Sequence, residues 1–315
     1  MTPKPILLAI IGPTASGKSC LAIHLAKQFD GEIINCDSLQ MYRRFNLGSG
    51  KLSQEEQEGI PHHLLDVLDS HESFAAGDYA RLARETISSI EAREKLPILA
   101  GGTGFYFRAL VDGLFAGPRR DPYLRQRLQL RSVEKGREHL HRLLRRFDPV
   151  LADKIHSHDT PKIIRALEVR LLTGQPMSAL FEQGRKSLLT GYRVIKLGLN
   201  PPRAKLRETI NQRTRGLFEK GLVEEVRNIL AQRVPRSAPP FQSYGYREAL
   251  EYLDRKISLE EAILLAQTKT RQYAKRQLTW FRKESGVRWL EGFGTDVEIQ
   301  TQASDYVSDQ LTRLT

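Results

Sequence analysis

Apolar positions in the first hundred residues fall into two alternating spacings. The run Ile6 to Ile11 follows Pro5 and is halted by Gly12 and Pro13, as expected of a short strand buried on both faces. Immediately afterwards Leu21, Ala22, Leu25, Ala26 and Phe29 recur at helical spacing, so a helix should begin at Gly17 or Lys18. Glu32 to Cys36 reads as a second strand that delivers Asp37 and Ser38 at its carboxyl end. Leu64 to Val67 reads as a short third strand and Phe74 to Arg93 as an amphipathic helix. Leu96 to Ala100 reads as a strand running into Gly101-Gly102-Thr103-Gly104. Strands alternating with helices imply a parallel sheet covered by helices, with ligands at the carboxyl ends of its strands.

The pattern changes at the Gly/Pro/Arg stretch from Gly113 to Pro122. From there to Phe181 the apolar residues (Leu124, Leu128, Leu140, Leu143, Leu144, Ile163, Leu167, Leu171) keep helical spacing only. Alternation returns at Tyr192 to Leu199, which predicts a return to the sheet. Pro202 to Glu284 is mostly helical with a break at Pro235 to Pro240, and past Leu290 the chain is polar and predicts nothing definite. The expected organisation is an α/β core from residues 1–115 and 191–315, interrupted by an all-helical insertion over residues 116–190.

Composition changes that picture in two respects. Among 315 residues there are two cysteines, Cys20 and Cys36, which excludes a disulfide scaffold and a four-cysteine zinc site. The six-residue opening run is too short for a secretory segment or a membrane span, so a cytoplasmic, membrane-free protein is expected. The formal net charge is +12, and it is unevenly spread: residues 116–190 hold 16 Lys/Arg against 8 Asp/Glu. A local basic excess of this kind suits a polyanion, nucleic acid above all.

Candidate chemistry begins at Gly12-Pro13-Thr14-Ala15-Ser16-Gly17-Lys18-Ser19, which fits G-x-x-x-x-G-K-[ST] with a strand before it and a helix after it. Glycines let the backbone curl until its N–H groups point inward, and the helix N-terminus adds its positive end. Lys18 is then placed to neutralise phosphate oxygens and the Ser19 hydroxyl to hold Mg²⁺. The fold this predicts is a P-loop NTPase-like parallel sheet flanked by helices. The motif alone does not say which phosphate is bound; an ATP-dependent kinase would add a strand-end carboxylate for Mg²⁺, and Asp37 or Asp66 could serve. Asp37 could equally be a turn or capping residue, and Thr103 either a diphosphate contact or a cap for the next helix. Cys36 reads as a small core residue, and His62, His63, His156 and His158 lack metal-ligand spacing. Lys162, Arg165 and Arg170 share one predicted helix, and Arg271, Lys275 and Arg282 share a face of another, beside Tyr273 and Trp280. These stripes fit either solvated faces or RNA contacts.

The blocks Gly12 to Ser19, Asp37-Ser38-Leu39-Gln40-Met41-Tyr42, Pro61 to Asp66, Gly101 to Tyr106, Arg165-Ala166-Leu167-Glu168, Gly245-Tyr246-Arg247-Glu248 and Ala274 to Arg282 together resemble the bacterial tRNA dimethylallyltransferases of the IPP transferase family, in the same order over roughly residues 5 to 290. The resemblance implies transfer of a dimethylallyl group from dimethylallyl diphosphate to N6 of adenosine 37, just 3′ of the anticodon of tRNA. Two other readings remain: a P-loop small-molecule kinase, or an adenylate isopentenyltransferase acting on free nucleotide. Also implied are Asp37 as general base or orienting acceptor, Thr103 as a contact near the reacting centre, and Arg213 as a diphosphate ligand beside the P-loop. Contacts to tRNA are implied for Asp37, Ser38, Leu39 and Gln40, for Thr103 and Arg125, and for Pro161, Lys162, Ile163, Ile164 and Arg165. They are implied too for Gln242, Ser243, Tyr244, Gly245, Tyr246 and Arg247. The target base would enter a channel between the two halves, the protein acting as a monomer with Mg²⁺. Thr209, Leu217 and Tyr244 depart from the family's usual Arg, Met and smaller apolar residue.

Overall fold

The apolar run after Pro5 forms β1 (Ile6–Ile11), buried along its length except at Ile6. The structure is a computed structural model describing residues 4–186 and 189–312. β1 lies inside a six-stranded parallel sheet of order β3-β2-β4-β1-β7-β8, made with β2 (Gly31–Asn35), β3 (His62–His63), β4 (Leu96–Gly101), β7 (Arg193–Leu199) and β8 (Val287–Leu290). In register, Leu8 faces Ile98 of β4 and Ile195 of β7. The chain leaves β1 on helix α1 (Lys18–Gln28), enters β4 from α2 (Ala76–Glu91) and leaves it on α3 (Gly104–Val111). Leu21, Ala22, Leu25 and Ala26 of α1 pack onto Leu8, Ile10 and Ile33, the pairing that their helical spacing predicts. The crevice expected of such a sheet lies at the carboxyl ends of β1, β2 and β4.

The third strand is displaced from its predicted place. β3 is His62–His63, and Leu64 and Asp66 instead take φ of 62° and 54°, backbone that a strand cannot use. An isolated parallel bridge between Tyr42 and Leu68 follows. β8 lies between the predicted helical region, which ends at Glu284, and Leu290, and α13 (Val297–Thr312) occupies the tail past Leu290 where the sequence predicts nothing definite. α13 buries Ile299, Ala303 and Val307 in the same core as α1.

The chain divides into two compact units, residues 1–111 with 189–315 and residues 112–188, against the predicted division at 116–190. The first unit also holds α9 (Arg203–Glu219), α10 (Leu222–Ala231), a 3₁₀ turn at Pro239–Gln242, α11 (Tyr246–Leu253) and α12 (Leu259–Phe281). The second unit holds α4 (Pro122–Lys135), α5 (Arg137–Phe147), α6 (Pro149–Ala152), α7 (Thr160–Thr173) and α8 (Met177–Glu182) around Leu128, Leu140, Leu144, Ile163 and Leu167. Three of these five helices share one local device at their starts. Asp121, Asp148 and Asp159 cap α4, α6 and α7, accepting from the N–H groups of Leu124, Leu151 and Lys162, with a proline in each first turn. Among its described residues the unit's regular structure is helical apart from a two-residue antiparallel ladder of β5 (Leu114–Phe115) with β6 (Arg185–Lys186). Among the described residues no helix is long and apolar enough to cross a membrane.

Candidate active site

The Gly12–Ser19 segment forms the predicted loop between β1 and α1. Gly17 caps α1 at φ 84°, and a Cβ there would lie 2.8 Å from the Gly294 nitrogen, so the position requires glycine twice over. Behind the loop, the Gly294 N–H donates to Ser16 O (2.9 Å), and the Ser16 hydroxyl donates to Pro13 O (2.8 Å). The first N–H groups of α1 lack intrahelical acceptors, as at any helix start. Lys18 donates to Pro13 O at 2.7 Å and pairs with no carboxylate among the described residues. Burial lowers its pKa to about 8, with Arg213 lowering it further and Asp37 opposing. That is an ammonium prepared for an anion.

Asp37 emerges from β2 as the spacing predicts. Its N–H donates to Asn35 Oδ1 and its Oδ1 accepts from the Leu39 N–H, both at 2.9 Å. Asn35 Nδ2 donates to the carbonyls of Asp37 and Leu64. Thr103 binds this strand end to the next, because its N–H donates to Cys36 O (3.0 Å) and its hydroxyl accepts from the Ser38 N–H (3.1 Å). The hydroxyl of Tyr273 lies beside that of Thr103. Cys36 is buried, with its thiol pushed up to about 12, chiefly by desolvation, which suits a core residue rather than a nucleophile. Arg213, on α9, lies over Gly50 and faces Asp37 and Glu56, without an ion pair of its own among the described residues. Lys18, Arg213 and Asp37 thus come together, as their implied roles require.

The site can take magnesium only in a particular way. No group of three or more His, Cys, Asp or Glu among the described residues could hold a metal alone. Asp66 is bound to the ammonium of Lys51 at 2.6 Å. The Ser19 hydroxyl has no partner among the described residues, and a hard oxygen donor at a helix N-terminus suits a Mg²⁺ carried on diphosphate oxygens. The residues fit the ion on those terms.

Several residues with implied RNA contacts have their side chains in other work. Tyr246 is fully buried; its hydroxyl donates to Glu225 (2.5 Å) and accepts from the Gly48 N–H. Glu225 also accepts from the Leu47 N–H at 2.8 Å, so the pair secures the 46–48 loop. Gln40 Nε2 donates to the carbonyls of Ser49 and Gly50. Gly245 is buried, with its N–H given to Glu248, whereas Gln242 and Arg247 are exposed and Leu39 and Ser243 are half-buried. Tyr244 accepts from Arg276 at 2.6 Å. Arg271, assigned to a basic stripe, donates to Asn211 Oδ1 at 2.6 Å.

In the second unit Ile163 and Ile164 are core residues, whereas Pro161 and Lys162 are exposed. Arg125 and Arg165 converge on Glu168, which has no solvent exposure: Arg125 Nε to Oε1 is 2.9 Å and Arg165 NH1 to Oε2 is 2.6 Å. The Asp121 N–H adds a third donor. Burial alone would raise the Glu168 pKa, but these donors outweigh it and hold the carboxyl below its ordinary range. Both guanidinium groups are committed within their own unit.

Gln277 received no role from the sequence, although the signal is there. It stands on the apolar face of α12 with Ala274, Leu278 and Phe281, where a polar residue is out of pattern. Its Oε1 accepts from the Thr14 N–H (2.7 Å) and its Nε2 donates to Gly102 O (2.9 Å).

A family model described as IPP transferase matches residues 40–284. A tRNA dimethylallyltransferase of Solibacter usitatus is 55% identical over 97% of this chain and 99% of its own length. One from Koribacter versatilis is 50% identical over 96% and 98%. Among solved structures, the full-length tRNA isopentenylpyrophosphate transferase of Bacillus halodurans aligns with TM-score 0.73 and 37% identity over 98% of both chains. A eukaryotic dimethylallyltransferase solved acting on tRNA aligns with TM-score 0.78 and 28% identity, over 97% of this chain and 80% of that one.

Proposed function

Because the chain belongs to the IPP transferase family, we propose that it transfers a dimethylallyl group from dimethylallyl diphosphate to N6 of adenosine 37 in tRNA, releasing diphosphate. Supporting this reading is the meeting of Lys18 and Arg213, two cations without carboxylate ion pairs among the described residues, with the Asp37 carboxylate at the end of β2. The cations suit a diphosphate and the carboxylate suits an amine that must lose a proton.

The lone pair of an adenine amine is delocalised into the ring, so the barrier lies largely in breaking the C1–O bond of the donor. Negative charge then grows on the diphosphate. The unpaired N–H groups at the start of α1, Lys18 and Arg213 stabilise that charge where it develops. The Ser19 hydroxyl would hold Mg²⁺, which would supply further positive charge to the departing diphosphate. As N6 bonds to C1, Asp37 orients the amine and accepts its proton. Thr103 keeps Asp37 and its neighbours in register through the Ser38 N–H. The target base leaves its stack to reach this point, at a cost of a few kcal/mol. The exposed Lys162, Gln242 and Arg247 supply RNA contacts; Tyr246, Ile163 and Ile164 act by supporting the backbone beside them.

The experiment is mass spectrometry of digested tRNA after incubation with the purified chain, dimethylallyl diphosphate and Mg²⁺. One added dimethylallyl group on the adenosine 3′ of the anticodon is expected. Unmodified tRNA together with brisk ATP cleavage would overturn the assignment in favour of a kinase.

A further inference from the structure

Two loops must keep a fixed separation for the proposed transfer to occur. The phosphate loop holds the group that departs, and the Gly101–Gly104 turn, tied through Thr103 to Cys36 and Ser38, moves with the segment bearing Asp37. One amide side chain spans them. Gln277 is 4% exposed and bonds Thr14 N–H with its oxygen and Gly102 O with its nitrogen. The fit is close: a Cβ on Gly102 would lie 2.1 Å from Gln277 Nε2, so glycine at that position is what admits the amide. On either side of Gln277 along α12, Ala274 and Leu278 pack with Ala15 of the phosphate loop, and Tyr273 lies beside Thr103. The contact with Thr14 also uses a loop N–H that faces α12, leaving those at the start of α1 for an anion.

We propose that Gln277 is a positioning residue that sets the distance between the phosphate loop and the Thr103 turn, and so between C1 of the donor and the amine that attacks it. The inference rests on the transferase reading above. In productive turnover the C1–O bond to diphosphate breaks, the N6–C1 bond forms, and the N6 proton passes to Asp37. If the two loops drift apart, C1–O cleavage can still proceed while N6 stands too far away. Water then supplies the new C–O bond and loses a proton to solvent, giving dimethylallyl alcohol and diphosphate. Misplacement therefore leaves a mark that simple loss of folded protein does not: diphosphate released in excess of adenosine modified.

The test measures both products in the full chain with Gln277→Leu and Gln277→Glu, after thermal melting confirms folding. Gln277→Leu removes both bonds. Gln277→Glu keeps an acceptor for Thr14 N–H but loses the donor to Gly102 O. For wild type, about one diphosphate should appear per modified adenosine. For Gln277→Leu, kcat should fall about 10- to 100-fold, as expected for roughly 1 Å of misplacement. Its Kd for dimethylallyl diphosphate should change little, and its product ratio should rise clearly above one. Gln277→Glu should also raise the ratio and, through its charge, the KM for the diphosphate donor. Gln272→Ala, an exposed change on the same helix, should match wild type. Folded Leu and Glu variants that both keep wild-type product ratios would show Gln277 to be a packing residue and overturn the proposal. A wild-type chain that modifies no tRNA would instead overturn the transferase reading, and this inference with it.

Discussion

Two regions of this molecule carry arginines and lysines of similar appearance in sequence, and the structure puts them to opposite uses. In the α/β unit, among the described residues, Lys18 donates only to a loop carbonyl, and Arg213 lies beside Asp37 without an ion pair. In the helical unit, Arg125 and Arg165 are both held by the buried carboxylate of Glu168. The first pair is available to a ligand and the second is spent on the fold. A count of cations measures neither, because what decides is whether a buried acid stands within reach.

Four substitutions or titrations would break or sharpen that contrast. Asp37→Asn removes the proton acceptor from the available pair, and kcat for tRNA modification should fall by about 10²- to 10⁴-fold. Retention of near-normal turnover would remove Asp37 from the chemistry. Arg165→Ala should cost the helical unit roughly 3–5 kcal/mol in urea unfolding by leaving Glu168 partly uncompensated. If it weakens tRNA binding with no loss of stability, Arg165 belongs with the available cations instead. The Lys18 ammonium, near pKa 8 in the free protein, gains from a bound anion, which raises its pKa. Donor affinity measured by calorimetry should therefore be flat below pH 8 and fall by up to about tenfold per unit above it. A flat profile through pH 9.5 would mean that Lys18 does not meet the diphosphate. Smallest of the four, Lys162→Ala should weaken tRNA binding a few-fold, more at low salt than at high, with the salt slope reduced by about one. An unchanged slope excludes a phosphate contact there.

Much of the α/β unit was legible because its signals are local. A strand that ends in glycine, a loop and a helix with apolar period 3.6 specify one another within thirty residues, and Asp37 follows directly from the next strand. Three of the insertion's helix starts were equally readable, since an Asp followed at once or one residue later by Pro is a cap and first turn written side by side. Illegible features depend on what lies far away in sequence. α13 looks polar because part of its interface with α1 is polar: Ser304 meets His24 at 3.1 Å and also bonds Gln28. The third strand fails at Leu64 because the backbone turns left-handed there, with Asn35 holding its carbonyl. Tyr246 sits in a motif that resembles an RNA-binding family, yet Glu225, the acid that occupies it, lies outside that motif; Glu168 is only one helical turn from Arg165, and what the sequence hides there is its burial, not its spacing.

The hydrogen bond from Gly294 to Ser16 joins segments that lie far apart in sequence. The phosphate loop therefore owes part of its shape to a residue that no local signal could supply, and loosening the segment around Gly294 should soften the loop while the strand before it and the helix after it stay formed.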